Sequence, residues 1–145
     1  MPNKISFSRR GLLQTGSLAM LAANTPALFA ADSKGRLAVR HKQSSEDITP
    51  GAHVLHDNNG PRAILYVRPG YNPAVPAPFM LMLHGARGDG GRTVRGQCAA
   101  ADEHGVVLLS PSTRSGTWDG IRGAFAHDLD KLDTLLGQVF ERCNI

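Results

Sequence analysis

The sequence predicts an α/β protein with a mostly parallel sheet, and three stretches carry that prediction. Phe79–Leu83 is an unbroken run of five large apolar residues that empties into a glycine-rich loop containing Gly85, Gly88, Gly90 and Gly91. Lack of alternation suits a strand buried on both faces, as in a parallel sheet covered by helices. Val106–Leu109 is a second such run, stopped by Ser110-Pro111-Ser112. Residues 127–142 place Leu129, Leu132, Leu135, Leu136, Val139 and Phe140 on one face at helical spacing, with Cys143 continuing it.

The remaining elements follow in order. Residues 1–30 combine Ser8-Arg9-Arg10-Gly11-Leu12-Leu13, an apolar stretch from Leu18 to Ala23, and a small-residue exit at Ala27–Ala31. A positive start, short apolar middle and alanine-rich end predict a signal peptide cleaved near Ala30-Ala31, and Arg9-Arg10 resembles a twin-arginine export motif. The apolar stretch is too short to span a bilayer, so no stable membrane anchor is expected. The expected partner is the twin-arginine export machinery, and the expected location is periplasmic or secreted.

The formal net charge is +4, but Lys4, Arg9 and Arg10 lie in the leader with no acid among them, leaving the rest at +1. The basic balance therefore gives no argument for nucleic acid, and no basic stripe interleaved with aromatics exists. Residues 31–50 read as a linker with one short strand at Leu37–Arg40. Ala52–Leu55 and Ala63–Val67 are β-prone runs around the turn signal Asp57-Asn58-Asn59-Gly60-Pro61, which predicts a hairpin. Residues 69–78, with four prolines, form a surface connection. A helix is expected over 91–104, capped by Gly105 in the left-handed conformation, with His104 in its last turn where positive charge is favoured.

His53 and His56 have too few ligand-type neighbours to suggest a metal and read as solvated. Cys98 and Cys143 show no metal spacing and read as small apolar residues in helices, with a disulfide left open. Asp128, Asp130 and Asp133 read as a solvated, dipole-matched helix face. No metal and no cofactor are expected.

Pro78-Phe79-Met80-Leu81-Met82-Leu83-His84-Gly85-Ala86, with the glycine loop behind it and Tyr66-Val67-Arg68-Pro69-Gly70-Tyr71 ahead of it, resembles the α/β-hydrolase superfamily. Within it, the similarity is to secreted serine esterases of the polyhydroxyalkanoate-depolymerase and feruloyl-esterase type, including phospholipase/carboxylesterase-like proteins. The resemblance covers roughly Arg62 to Ile145. It implies the N-terminal part of a three-layer α/β sandwich over residues 51–145, and an ester as substrate. It also implies that His84, Gly85 and Ala86 form an oxyanion loop, with Ala86 supplying the N–H. Trp118 and Asp119 would lie near the site's mouth, Trp118 as a substrate-pocket wall or as an aromatic lid over the core.

The nucleophile of that family sits on a Gly-x-Ser-x-Gly turn, followed in the chain by the acid and the histidine. No Gly-x-Ser-x-Gly occurs in these 145 residues. The expectation is thus an exported serine hydrolase fragment, truncated before the nucleophile strand and inactive alone, with Phe79–Leu83 left as a sheet edge. A noncatalytic binding or assembly module, or a non-functional truncated product, is the alternative.

Overall fold

The computed structural model describes residues 36–44, 46–57, 63–124 and 127–145. The export motif at Arg9-Arg10 and the cleavage region at Ala30-Ala31 lie outside these residues, as does most of the predicted turn at 57–61. Strand β1, Gly51–Leu55, pairs antiparallel with β2, Ala63–Val67, as the turn signal predicts. β3 is Phe79–Leu81, helix α1 is Gly90–His104, β4 is Val107–Pro111, and α2 is His127–Arg142. A single 3-10 turn, Asp119–Arg122, precedes α2.

The sheet order is β1-β2-β4-β3. β2 pairs antiparallel with β4, and only β3 and β4 run parallel. The prediction of a mostly parallel sheet is therefore corrected: this is a mixed four-stranded sheet in which antiparallel pairings dominate. A parallel neighbour needs a crossover, and among the described residues α1 is the one helix inserted between consecutive strands. The unbroken apolar run of β4 reflects its central place in the sheet, where every residue is buried, rather than a parallel sheet around it.

The two helices cover opposite faces. On one, Ala63, Leu65, Val67, Val107 and Leu109 meet Leu135, Leu136 and Val139 of α2. On the other, Ile64, Tyr66, Met82 and Leu108 meet Val94 and Ala101 of α1. The alternation along β2 divides it between the two clusters, and burying each such aliphatic side chain contributes roughly 2 kcal/mol. Tyr66 also donates its hydroxyl to Asp102 on α1 at 2.8 Å. That bond to a carboxylate, with burial, pushes the phenol up to about 12.

Both helices obey their local signals. Asp89, unnoticed in the sequence, caps α1 by accepting the Arg92 N–H at 2.8 Å. Gly105 ends it at φ 70° as expected, with Val106 N–H returning to the Ala101 carbonyl. α2 has the predicted bounds.

Three element predictions are corrected. Leu37–Arg40 is not a strand; the Ala38 and Val39 N–H groups are taken by the Asp133 carboxylate at 2.8–3.1 Å, which lays this segment along α2. β3 stops at Leu81, two residues early. Met82 N–H still reaches the Leu109 carbonyl, but its own carbonyl accepts from the Ser110 hydroxyl, and the chain leaves the sheet. That same bond satisfies Ser110 in full burial, so β4 runs on through Ser110-Pro111 instead of stopping at Leu109.

Candidate functional site

The candidate loop leaves β3 at the C-terminal end of the parallel pair β3–β4, beside the loop that leaves β4. Glycine makes the close approach between them: Gly90 N–H donates to Ser112 Oγ at 2.8 Å, and a Cβ at Gly90 would overlap the Ser110 carbonyl. Between β3 and α1 the chain turns through Arg87, which holds a left-handed φ of 60°. For a residue with a Cβ this costs about 1 kcal/mol. The Arg87 N–H donates to the Gly116 carbonyl at 2.8 Å, tying the loop to the one after β4.

Within this frame His84 is buried and Gly85, Ala86 and Arg87 are exposed. Thr113 N–H donates to His84 Nε2 at 3.1 Å, so Nε2 is an acceptor and the ring proton resides on Nδ1. His84 Nδ1 then donates to the Gly85 carbonyl at 2.7 Å, which also accepts the Gly88 N–H at 3.0 Å. That carbonyl belongs to the same planar peptide group as the Ala86 N–H. Among the described residues the Ala86 N–H has no acceptor, and Ala86 itself is exposed.

Trp118 is half-buried, and its Nε1–H donates to the His84 carbonyl at 2.9 Å while its ring lies 5.1 Å from the imidazole. The open choice between pocket wall and lid thus meets a ring fixed against the base of the loop. Asp119 and Asp128 exchange backbone-to-carboxylate bonds at 2.8 and 3.2 Å. Asp119 is therefore a joint between the 3-10 turn and α2.

The sequence reading missed Lys131. Its side chain is 6 % exposed, with Nζ on the Ser112 carbonyl at 2.9 Å, on Asp128 Oδ1 at 3.0 Å, and 5.6 Å from the centre of the Trp118 ring. The signal was present: Lys131 stands four residues before Leu135, a charge on the apolar stripe. Asp128 and Asp133 likewise bind partners instead of forming a solvated face, and only Asp130 of the three stays exposed.

Burial raises the Asp128 pKa, but the Asp119 N–H and the hydrogen bond and charge of Lys131 outweigh it, leaving the carboxyl below its ordinary 3.8. With its native pKa below the unfolded one, Asp128 contributes stability that is complete above the ordinary value. That stability is lost as pH falls through the lower native value. Urea unfolding below about pH 4 should accordingly show wild type losing stability faster than Asp128→Asn.

The other titratable candidates are elsewhere. His53 Nε2 contacts the Thr49 carbonyl at 2.7 Å, and His56, His104 and His127 are exposed. The hydroxyls of Ser110, Ser112 and Ser115 are all engaged with backbone groups. Cys98 and Cys143 are free thiols; burial pushes Cys143 up to about 11. Among the described residues no group of three His, Cys, Asp or Glu side chains is placed to hold a metal, and no helix is long and apolar enough to cross a membrane. An apolar groove of about 270 Å³ lies between α1 and β3, lined by Met80, Met82, Gln97, Ala101, His104 and Leu108, and shares no residue with the loop cluster.

No protein-family model matches this chain, and no curated protein matches it.

Proposed function

We propose that this chain is part of an exported serine ester hydrolase of the α/β-hydrolase type, in which the Ala86 N–H stabilises the oxyanion formed during acyl transfer. The observation that carries the reading is the Ala86 N–H itself: on an exposed residue, without an acceptor among the described residues, and held on a loop at the C-terminal end of β3. A donor fixed before reaction costs no reorganisation when charge develops, and one such donor lowers the barrier by about 3–4 kcal/mol in other enzymes. The position of β3 adds support. It is an outer strand, with Met80 46 % exposed, on the side where the resembled fold carries its nucleophile strand.

The nucleophilic serine, the histidine that takes its proton and the acid that orients that histidine lie outside these 145 residues in this reading. Acyl transfer proceeds through a covalent acyl-serine, which water then hydrolyses. The substrate is a carboxylic ester, and neither metal nor cofactor has a role.

In a p-nitrophenyl ester assay the 145-residue chain should give background rates. A protein in which this chain is extended through a Gly-x-Ser-x-Gly turn, an acid and a histidine should turn over short acyl esters, and Ala86→Pro in that protein, which removes the N–H, should lower turnover about a hundredfold or more. Equal turnover by a folded Ala86→Pro protein would overturn the assignment of the donor. Export is tested separately: residues 1–35 fused to a reporter that requires twin-arginine transport should carry it out of the cytoplasm, and Lys at both Arg9 and Arg10 should block this. Undiminished export of the double variant would contradict the twin-arginine route.

A further inference from the structure

The hydrogen bonds around His84 converge on a side chain from the far end of the sequence. Two groups outside the loop grip this residue: Thr113 N–H on Nε2 and Trp118 Nε1–H on the main-chain carbonyl. Both grips are themselves held by Lys131. Its Nζ donates to the carbonyl of Ser112, the residue before Thr113, and sits over the indole of Trp118. A cation within about 6 Å of a tryptophan ring centre is attracted to its face, more strongly when water is excluded, as at this buried side chain. Asp128 in turn fixes the ammonium at 3.0 Å, and the Asp119 N–H fixes Asp128 at 2.8 Å.

We infer that Lys131 is a positioning residue for the Ala86 N–H, acting through Ser112–Thr113 and Trp118 on His84 and through His84 on the Gly85–Ala86 peptide. The inference rests on the ester-hydrolase reading for its consequence in catalysis, but the positioning is a property of this chain by itself.

With Nε2 occupied by the Thr113 N–H, the neutral ring has one tautomer, and its Nδ1–H points at the Gly85 carbonyl. An acceptor bond at that carbonyl fixes the plane of the peptide, and the N–H on the opposite side of the same plane is that of Ala86. Loss of the Thr113 bond frees the ring to exchange tautomers. In the other tautomer Nδ1 is an acceptor facing the Gly85 carbonyl oxygen, which repels it, and the peptide is then held at that carbonyl by the Gly88 N–H alone. Lys131 prevents this by fixing the Ser112 carbonyl, which belongs to the same peptide group as the Thr113 N–H. One ammonium thus sets the orientation of two successive peptide planes without touching the reacting atoms.

The test begins on the 145-residue chain, with proton–nitrogen NMR correlations of the His84 ring and the Ala86 amide. Wild type should show His84 protonated at Nδ1 and bare at Nε2, with one sharp Ala86 signal. Lys131→Met, which keeps the aliphatic stem, should average the His84 ring nitrogens and broaden or move the Ala86 amide. Trp118→Phe is the second variant. It keeps a ring beneath the loop and removes the Nε1–H, so it reads out the second grip should Lys131→Met fail to fold, and it should move the Ala86 amide too. A wild-type ring protonated at Nε2, or folded variants with unchanged His84 and Ala86 signals, would overturn the positioning role whatever the enzyme proves to do.

In the extended protein, kcat is taken per serine titrated by a fluorophosphonate, so that a merely destabilised variant, with fewer but normal sites, keeps its value. Lys131→Met should lower kcat per titrated serine about a hundredfold and Trp118→Phe about tenfold, with KM unchanged. Unchanged kcat per titrated serine in both would remove the role in catalysis. If no serine titrates, the ester-hydrolase reading has failed, and the NMR result still decides the positioning.

Discussion

Gly90→Ala should cost the fold about 3 kcal/mol or more, while Gly96→Ala, six residues on in the same helix, should stabilise it by roughly 0.5–1 kcal/mol. Alanine loses less backbone freedom than glycine in a helix, which favours the substitution at the interior Gly96 and does not by itself oppose it at Gly90, the first helical residue. Their surroundings separate them. A Cβ at Gly96 meets nothing within 4 Å. At Gly90 it would overlap the Ser110 carbonyl oxygen and stand 2.9 Å from that carbonyl carbon, both atoms of a buried central strand. β4 is paired on both sides, to β2 and to β3, so it cannot yield without breaking a ladder. The helix would have to move instead, pulling the Gly90 N–H from Ser112 and the loop residues with it. Urea denaturation of the three proteins measures the difference. Equal stabilities for the two variants would contradict the close approach between α1 and β4.

Lys131→Ala should destabilise by about 3 kcal/mol, with much of the loss returned when Asp128→Asn is added. The pair is desolvated on both sides, with side-chain exposures of 6 and 15 %. Removing one partner of a buried pair leaves the other charge uncompensated, which costs more than the intact pair contributes. Here the Ser112 carbonyl also loses its donor, and the Trp118 ring its cation. Asparagine at 128 removes the stranded charge and retains an oxygen for the Asp119 N–H. A double-mutant cycle in urea isolates the coupling. A Lys131→Ala protein within about 0.5 kcal/mol of wild type, the range of an ordinary surface substitution, would mean that Lys131 is solvated and that the cluster does not exist as described.

The elements legible in the sequence were those with a local cause. The hairpin followed from the turn residues between two β-prone runs, α2 from its apolar stripe, and the end of α1 from Gly105. Sheet direction was not legible, because an unbroken apolar run records burial on two faces and says nothing of the neighbour's direction. β4 is buried in that way between an antiparallel and a parallel partner. Leu37–Arg40 looked like a strand because its apolar residues do alternate inward, Leu37 and Val39 packing on the core. What it lacked was a strand to pair with, and an aspartate on α2 satisfies its backbone instead.

At the candidate site, His84-Gly85-Ala86 was legible as a motif, but the groups that hold it were not. Trp118 could be singled out only as the sole tryptophan, and its bond to the His84 carbonyl joins residues 34 positions apart. Lys131 is 19 positions from Ser112, and no local pattern announces that contact. The lysine on an apolar stripe was the one available sign that α2 carries something besides a core face.

Fluorophosphonate labelling, followed by peptide mapping of the labelled serine, decides whether the nucleophile lies outside these 145 residues. It is applied to the 145-residue chain and to the same chain extended through a Gly-x-Ser-x-Gly turn, an acid and a histidine. No serine should be labelled in the first, and one serine should be labelled stoichiometrically in the second, within the extension. A labelled serine among residues 1–145 with ester turnover, or an extended protein that folds yet neither labels nor hydrolyses an ester, would contradict the proposed function.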